Sequence, residues 1–205
     1  MTRLRNHLPL AALLGLTSCV DFSQQAPEKE RYLLATRRRA ITAPAAGAPV
    51  LLLRTFAVAP AFAGRAMVVQ TGPQTFASDY FHEWFIPPAD AVTAVVERWF
   101  LDCGRFAAVV HTGSPLPARY RLEGDLRVFQ VDVSKTARPH AVVELQIYLI
   151  DERDAVAPVK LVRNLKATSP AASAGAEDLV RALDAALAIC LEDLERDLGA
   201  VVQGS

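Results

Sequence analysis

Tyr120-Arg121-Leu122-Glu123-Gly124-Asp125-Leu126-Arg127-Val128-Phe129-Gln130-Val131-Asp132-Val133 reads as one long strand that changes phase partway. Tyr120, Leu122, Leu126 and Val128 first alternate with Arg121, Glu123, Asp125 and Arg127, the period-two pattern of a strand with one buried face. From Phe129 the apolar set moves by one position, to Phe129, Val131 and Val133, with Gln130 and Asp132 polar between them. A one-residue slip reverses the buried face, so the pattern predicts a β-bulge or twist near Val128 and Phe129.

Downstream, Ser134 to Pro139 reads as a turn, and Ala141 to Ile150 as a returning strand with Val143, Leu145, Ile147 and Leu149 on one face. A second turn, Asp151 to Pro158, leads to a further strand over Val159 to Ala167, which completes an antiparallel meander. The chain closes in a helix from about Ser173 to Leu198. Its apolar stripe is Leu179, Leu183, Leu187, Cys190, Leu194 and Leu198. Glu177, Asp178, Asp184, Glu192, Asp193, Glu195 and Asp197 fill the opposite side and read as a solvated face.

Upstream, Val50 to Pro60 is apolar at nearly every position, as in a strand covered on both faces, and is the candidate for the centre of the sheet. Pro60 ends it, having no amide proton to give a ladder. Ala66 to Gln70 is a short strand and Thr71-Gly72-Pro73 a turn. Pro87 and Pro88 suit the opening of a helix, where a missing amide proton costs nothing. That helix carries Val92, Val95, Val96, Trp99 and Cys103 as its buried stripe and stops at Gly104. Phe106 to Val110 and Tyr32 to Ala35 are further short strands. Together these elements predict an α+β fold: a mostly antiparallel sheet of five or six strands, with two amphipathic helices packed on one face.

The N-terminus is not part of that fold. A basic start with Arg3 and Arg5 precedes an apolar run, Leu8 to Leu16, that closes in Leu16-Thr17-Ser18-Cys19. The run is shorter than the about 20 apolar residues a membrane helix needs, so residues 1–18 read as a secretory signal. Its ending is the lipobox pattern of bacterial lipoproteins, which makes Cys19 the lipidation site and the first residue of the mature chain. The alternative is an ordinary secretory signal with a cysteine near its cleavage point. Residues 19–30, rich in Gln, Ser, Pro and charge, form a flexible lipidated tether, residues 31–200 the folded domain and 201–205 a tail. A palmitate-type acyl anchor on Cys19 places the domain in the cell envelope. Val20, rather than Asp, after the cysteine favours the periplasmic face of the outer membrane.

Composition narrows the function classes. The chain has 22 basic and 22 acidic residues; loss of Arg3 and Arg5 with the signal leaves 20 against 22, so no global basic field argues for nucleic acid. With Cys19 lipidated, Cys103 and Cys190 remain, either bonded as a disulfide in an oxidising compartment or packed as two buried thiols. Arg37-Arg38-Arg39 is either a membrane-surface contact or a solvated strand exit. Tyr80-Phe81-His82-Glu83-Trp84-Phe85 is the densest aromatic segment; Tyr80, Phe81, Trp84 and Phe85 are candidates for a partner contact, against the alternative of packing on a sheet edge.

The sequence offers little for catalysis. His82, His111 and His140 lack metal-type spacing, and Ser114 in Gly113-Ser114-Pro115 has no nucleophile-elbow context. A phosphate-binding loop is also missing, so the reading is of a protein that is not an enzyme and needs no metal or cofactor beyond the lipid on Cys19.

The order of these features resembles a known family. The lipobox is followed by Tyr32-Leu33-Leu34, a strand closing in Phe56-Ala57-Val58-Ala59-Pro60, Tyr80 and Trp84 ahead of Pro87-Pro88, a helix ending near Gly104-Arg105-Phe106, Tyr120 to Leu126 leading into Phe129, and an Ala-rich final helix. This is similar to the ABC-type transport auxiliary lipoproteins of the paraquat-inducible protein C-like group. The chain departs from that group at Glu83 and at Val69-Gln70-Thr71, where the group often carries arginine. The resemblance implies a non-catalytic component of a mammalian-cell-entry (MCE) transport system that moves phospholipid or related lipids between membranes. Its implied partners are an MCE-domain protein with its permease and ATPase, the membrane through the anchor, and further copies of the chain in a ring. The alternative is a structural or assembly lipoprotein that partners an outer-membrane barrel or cell-wall machinery.

Overall fold

The computed structural model describes residues 28–134, 138–156 and 158–203; the signal, Cys19 and the tether as far as residue 27 lie outside the described residues. The strands in chain order are β1 (Glu30–Tyr32), β2 (Val50–Leu53), β3 (Ala57–Val58), β4 (Ala66–Gly72), β5 (Thr75–Trp84), β6 (Ala108–His111), β7 (Tyr120–Asp132), β8 (His140–Asp151) and β9 (Val159–Pro170). Helix α1 (Pro88–Asp102) lies between β5 and β6, and α2 (Ala176–Gln203) closes the chain.

The sheet is organised around β7. One edge of it pairs antiparallel with β8 from Tyr120 opposite Asp151 to Asp132 opposite His140, and β8 pairs in turn with β9. Three short strands take the other edge in succession, all parallel to β7. In β2, Leu51 to Leu53 lie opposite Tyr120 to Leu122; in β3, Ala57 and Val58 lie opposite Asp125 and Leu126; in β4, Val69 and Gln70 lie opposite Val131 and Asp132. The apolar stretch from Val50 thus climbs alongside β7 in steps. The amides of Arg54 and Ala59 donate to Leu122 and Leu126 at the joints, and the 3-10 turn Pro60–Phe62 drops Phe62 into the core.

The sheet is therefore mixed rather than mostly antiparallel, with nine strands among the described residues where the pattern predicted five or six. Besides the three strands on β7, β2 pairs parallel with β6 and β1 with β5. Alternation along a strand records which face is buried but not the direction of the neighbouring strand. Parallel pairs arise from long crossovers such as the one through α1, between β2 and β6. β2 sits inside the sheet, between β6 and β7, but the hub is β7.

The phase change in β7 is a bulge at the predicted place. Leu126 faces Leu145 and Val128 faces Glu144, so Arg127 is the extra residue; before it Leu122 and Leu126 are buried, after it Phe129 and Val131. Gly124 permits a second adjustment. A Cβ at this position would lie 2.2 Å from the Phe56 ring, so only glycine lets that ring cross the strand.

Both helices bury the predicted stripes. Val92, Val95, Val96, Trp99 and Cys103 of α1, and Leu179, Leu183, Leu187, Cys190, Leu194 and Leu198 of α2, all belong to one core. Helix α2 packs on β7, β8 and β9, while α1 packs on β3 and β6 and touches α2. Gly104 ends α1 with φ +73°, as the C-terminal glycine rule requires. The two remaining cysteines form no disulfide: both are free and buried. Cys103 Sγ donates to Phe100 O in its own last turn at 3.3 Å, and Cys190 Sγ lies 4.0 Å from Val143 O on β8. Each packs as a small hydrophobe at its own place in the core.

Candidate functional site

The aromatic segment forms β5, half of a hairpin with β4 that alternation had not revealed as a strand. Along most of β5 both faces are accessible, so no two-residue rhythm marks it. The structure divides its aromatics. Trp84, at the base, is 2 % exposed and packs on Phe129 with ring centroids 5.2 Å apart. Its amide donates to Arg65 O, and its carbonyl accepts from Arg65 Nε at 2.9 Å. Trp84 is a core residue and leaves the candidate contact set. Tyr80, Phe81 and Phe85 remain outside, at 68 %, 40 % and 56 % exposure, and Phe76 farther along the hairpin is also exposed. Tyr80 and Phe81 meet edge to face, with centroids 5.2 Å apart.

Strand β1 binds the edge of β5 at this patch, with Glu30, Arg31 and Tyr32 opposite His82, Glu83 and Trp84. Lys29 Nζ stands 4.2 Å over the Tyr80 ring and also donates to Glu83 Oε1 at 2.5 Å. Glu83, which stands where the resembled group often carries arginine, thus clamps β1 onto β5, and the Lys29 hydrogen bond holds its carboxyl below the usual range. Asp79 accepts from the amides of Phe81 and His82 and bonds His82 Nδ1 at 2.6 Å. Burial alone pushes the Asp79 carboxyl upward, but these hydrogen bonds outweigh it and hold the pKa below the ordinary value. The patch is therefore an apolar surface on a hairpin braced by charge pairs, next to the point where the N-terminal segment joins the domain.

The three consecutive arginines do not act together. Arg38 Nε and Nη2 donate to the two carboxylate oxygens of Glu195 at 2.9 and 3.0 Å, which commits Arg38 to α2. Arg37 and Arg39 are exposed. Just upstream, Asp184 of α2 accepts from the Ala35 amide at 2.9 Å and from Thr36 Oγ1 at 2.5 Å. The segment after β1 is thus fastened to α2 at two places.

The groups with chemical potential are dispersed or quenched. His111 pairs with Glu97 at 3.1 Å and His140 stands 4.0 Å from Asp132. Among the described residues no group of three or more His, Cys, Asp or Glu side chains is arranged to hold a metal. Burial pushes the Cys190 thiol up to about 12 and raises that of Cys103, so neither is a thiolate near neutral pH. No helix among the described residues is long and apolar enough to cross a membrane.

With this geometry in hand, comparison with known proteins is decisive for the family. The family model of the ABC-type transport auxiliary lipoprotein component matches residues 32–194, nearly the whole folded domain. The chain belongs to this family. The auxiliary lipoproteins are components of ABC-type transport, which places the chain in the cell envelope and agrees with the expectation that it is not an enzyme. No curated protein matches the chain. Among solved structures, a Xanthomonas campestris protein of the family DUF330 superposes with a TM-score of 0.69 at 23 % identity, covering 85 % of this chain and 96 % of its own. A second, described as an uncharacterized protein, gives 0.66 at 15 % identity, covering 83 % and 99 %. These two likenesses show that the fold is shared over more than four fifths of this chain.

Proposed function

We propose that this auxiliary lipoprotein is the outer-membrane-anchored, periplasmic part of an MCE-type ABC transporter that carries phospholipid or related lipids between the two membranes. The observation that carries the reading is the family match over residues 32–194. The lipobox adds the anchor: acylation of Cys19 tethers the domain through the segment that precedes Lys29, since Lys29 and Glu30 are already fastened to β5. An inner-membrane ATPase and permease supply the work, an MCE-domain protein bridges the periplasm, and this chain receives its far end without a catalytic step or cofactor of its own. Tyr80, Phe81 and Phe85 supply the partner contact, since exposed aromatics on a braced hairpin are suited to anchoring an interface. Copies of the chain assemble as a ring around the conduit.

The test is a pull-down of the lipidated protein from detergent-solubilised envelopes, beside a Cys19→Ala control, with partners identified by mass spectrometry. Recovery of an MCE-domain protein with its ATPase, lost on Tyr80→Ala/Phe85→Ala substitution, is the expected result. Recovery of only barrel-assembly or cell-wall proteins would replace this reading with that of a structural lipoprotein.

A further inference from the structure

Arg105 is one of the arginines that enter no ion pair among the described residues, and it is the one of them with a buried, unsatisfied Nε. Gly104, in its left-handed conformation, turns the chain out of α1, and Arg105 then lies on α2: a Cβ at Gly199 would sit 2.6–2.7 Å from the guanidinium atoms. Arg105 Nε is buried and makes no hydrogen bond. An unsatisfied buried donor costs about 1–3 kcal/mol, more when charged, and such a group calls for an explanation. Two adjoining clefts, of about 340 and 430 Å³, share Arg38, Arg105 and Glu195 as their common wall. The smaller is also lined by Arg39, Arg196, Trp99 and Glu192.

The charges in that smaller cleft do not cancel. Glu195 is committed, accepting two bonds from Arg38 and one from Trp99 Nε1 at 2.9 Å. Arg196 is turned to Asp193 at 2.8 Å. Among the described residues, Arg39 and Arg105 enter no ion pair, and the one acid of the cleft left to face them is the exposed Glu192. Two uncommitted guanidiniums in a cleft also lined by Trp99 and Ala40 form a receptor for a compact oxyanion, because each planar fork can give two parallel bonds to a phosphate. We infer that the cleft between the end of α1 and the last turns of α2 binds a phosphate group, held by Arg105 and Arg39. That group is either the headgroup of a phospholipid or a free phosphate. This site is separate from the aromatic patch and does not depend on which transporter the protein serves.

The test is calorimetric titration of the full chain in a maltoside detergent, with two probes: inorganic phosphate, and dihexanoyl phosphatidylglycerol below its micellar concentration. Saturable binding of at least one probe is expected, weakened about tenfold or more in Arg105→Gln and in Arg39→Gln. Arg39 is exposed, so its variant keeps the test informative if Arg105→Gln misfolds. Gly199→Ala, which displaces the Arg105 guanidinium without altering any charge, should weaken binding by a similar factor. Tighter binding of the lipid probe identifies a headgroup site, and equal or tighter binding of inorganic phosphate identifies a free-phosphate site. Failure of both probes to saturate, or wild-type affinity in all three variants, overturns the proposal. A transporter pull-down that fails would leave these titrations unaffected.

Discussion

Trp99 Nε1 donates a 2.9 Å hydrogen bond to Glu195 Oε2, and the same carboxylate accepts two bonds from Arg38, through Nε and Nη2. One acid on α2 thus ties together α1, α2 and the segment that leads in from the N-terminus. Both members of the ion pair are largely shielded, with side-chain exposures of 21 % and 15 %. Removing the acid strands a buried indole N–H and a guanidinium. Glu195→Ala should therefore cost about 2–3 kcal/mol in urea unfolding, and Glu195→Gln less, since the amide oxygen still accepts from the indole. Equal losses for the two variants would show that charge alone, not the shared acceptor, holds this junction.

The division of the aromatic segment into core and surface makes a direct contrast. Trp84→Ala opens a cavity against Phe129 and should destabilise the domain by about 3–5 kcal/mol. Tyr80→Ala should stay within about 0.5 kcal/mol of wild type. Thermal or urea denaturation of the two variants side by side checks this. A large loss at Tyr80 would mean that the patch belongs to the packing of the domain and not to an interface.

Phe56 and Gly124 meet where β3 lies along β7. A methyl group at position 124 would fall inside the Phe56 ring, so Gly124→Ala should cost about 1–3 kcal/mol by overpacking. Combined with Phe56→Leu, the two losses should add to less than their sum, because the smaller side chain vacates the space the methyl needs. A strictly additive double mutant would place the strain elsewhere.

The buried thiols set an alkaline limit on stability. Cys190 is pushed up to about 12 by burial, against 9.0 for the free group, and Cys103 is raised by the same cause. The native state therefore holds protons that the unfolded chain releases. This contribution is complete below pH 9 and drains away as pH rises toward about 12, by up to about 1.4 kcal/mol per pH unit for one such thiol. Tyr32, pushed up to about 12 by partial burial and by its hydrogen bond to Glu30, acts in the same direction. Urea midpoints measured from pH 8 to 11 should fall, and Cys190→Ala should flatten the slope. Neither thiol should react with a disulfide reagent at pH 7 until the domain unfolds; rapid native-state labelling would contradict the burial described here.

Most of the local elements, though not β5, were legible along the chain. The slip between Val128 and Phe129 reported the bulge at Arg127, because a buried face must change side when one residue is inserted. The three and four spacing of Val92, Val96 and Trp99, and of Leu179, Leu183 and Leu187, marked both helices, because a helix must bury one stripe. The lipobox at Cys19 and the order of motifs also pointed to the family that the match over residues 32–194 establishes. Tertiary structure alone decided the rest. The direction of β2, β3 and β4 along β7, the burial of Trp84 beside the exposed Tyr80, the separation of Cys103 from Cys190, and the pairing of Arg38 but not Arg105 all depend on partners tens of residues away. Spacing along the chain records which face of an element is apolar. It does not record which other element arrives to cover that face or answer its charge.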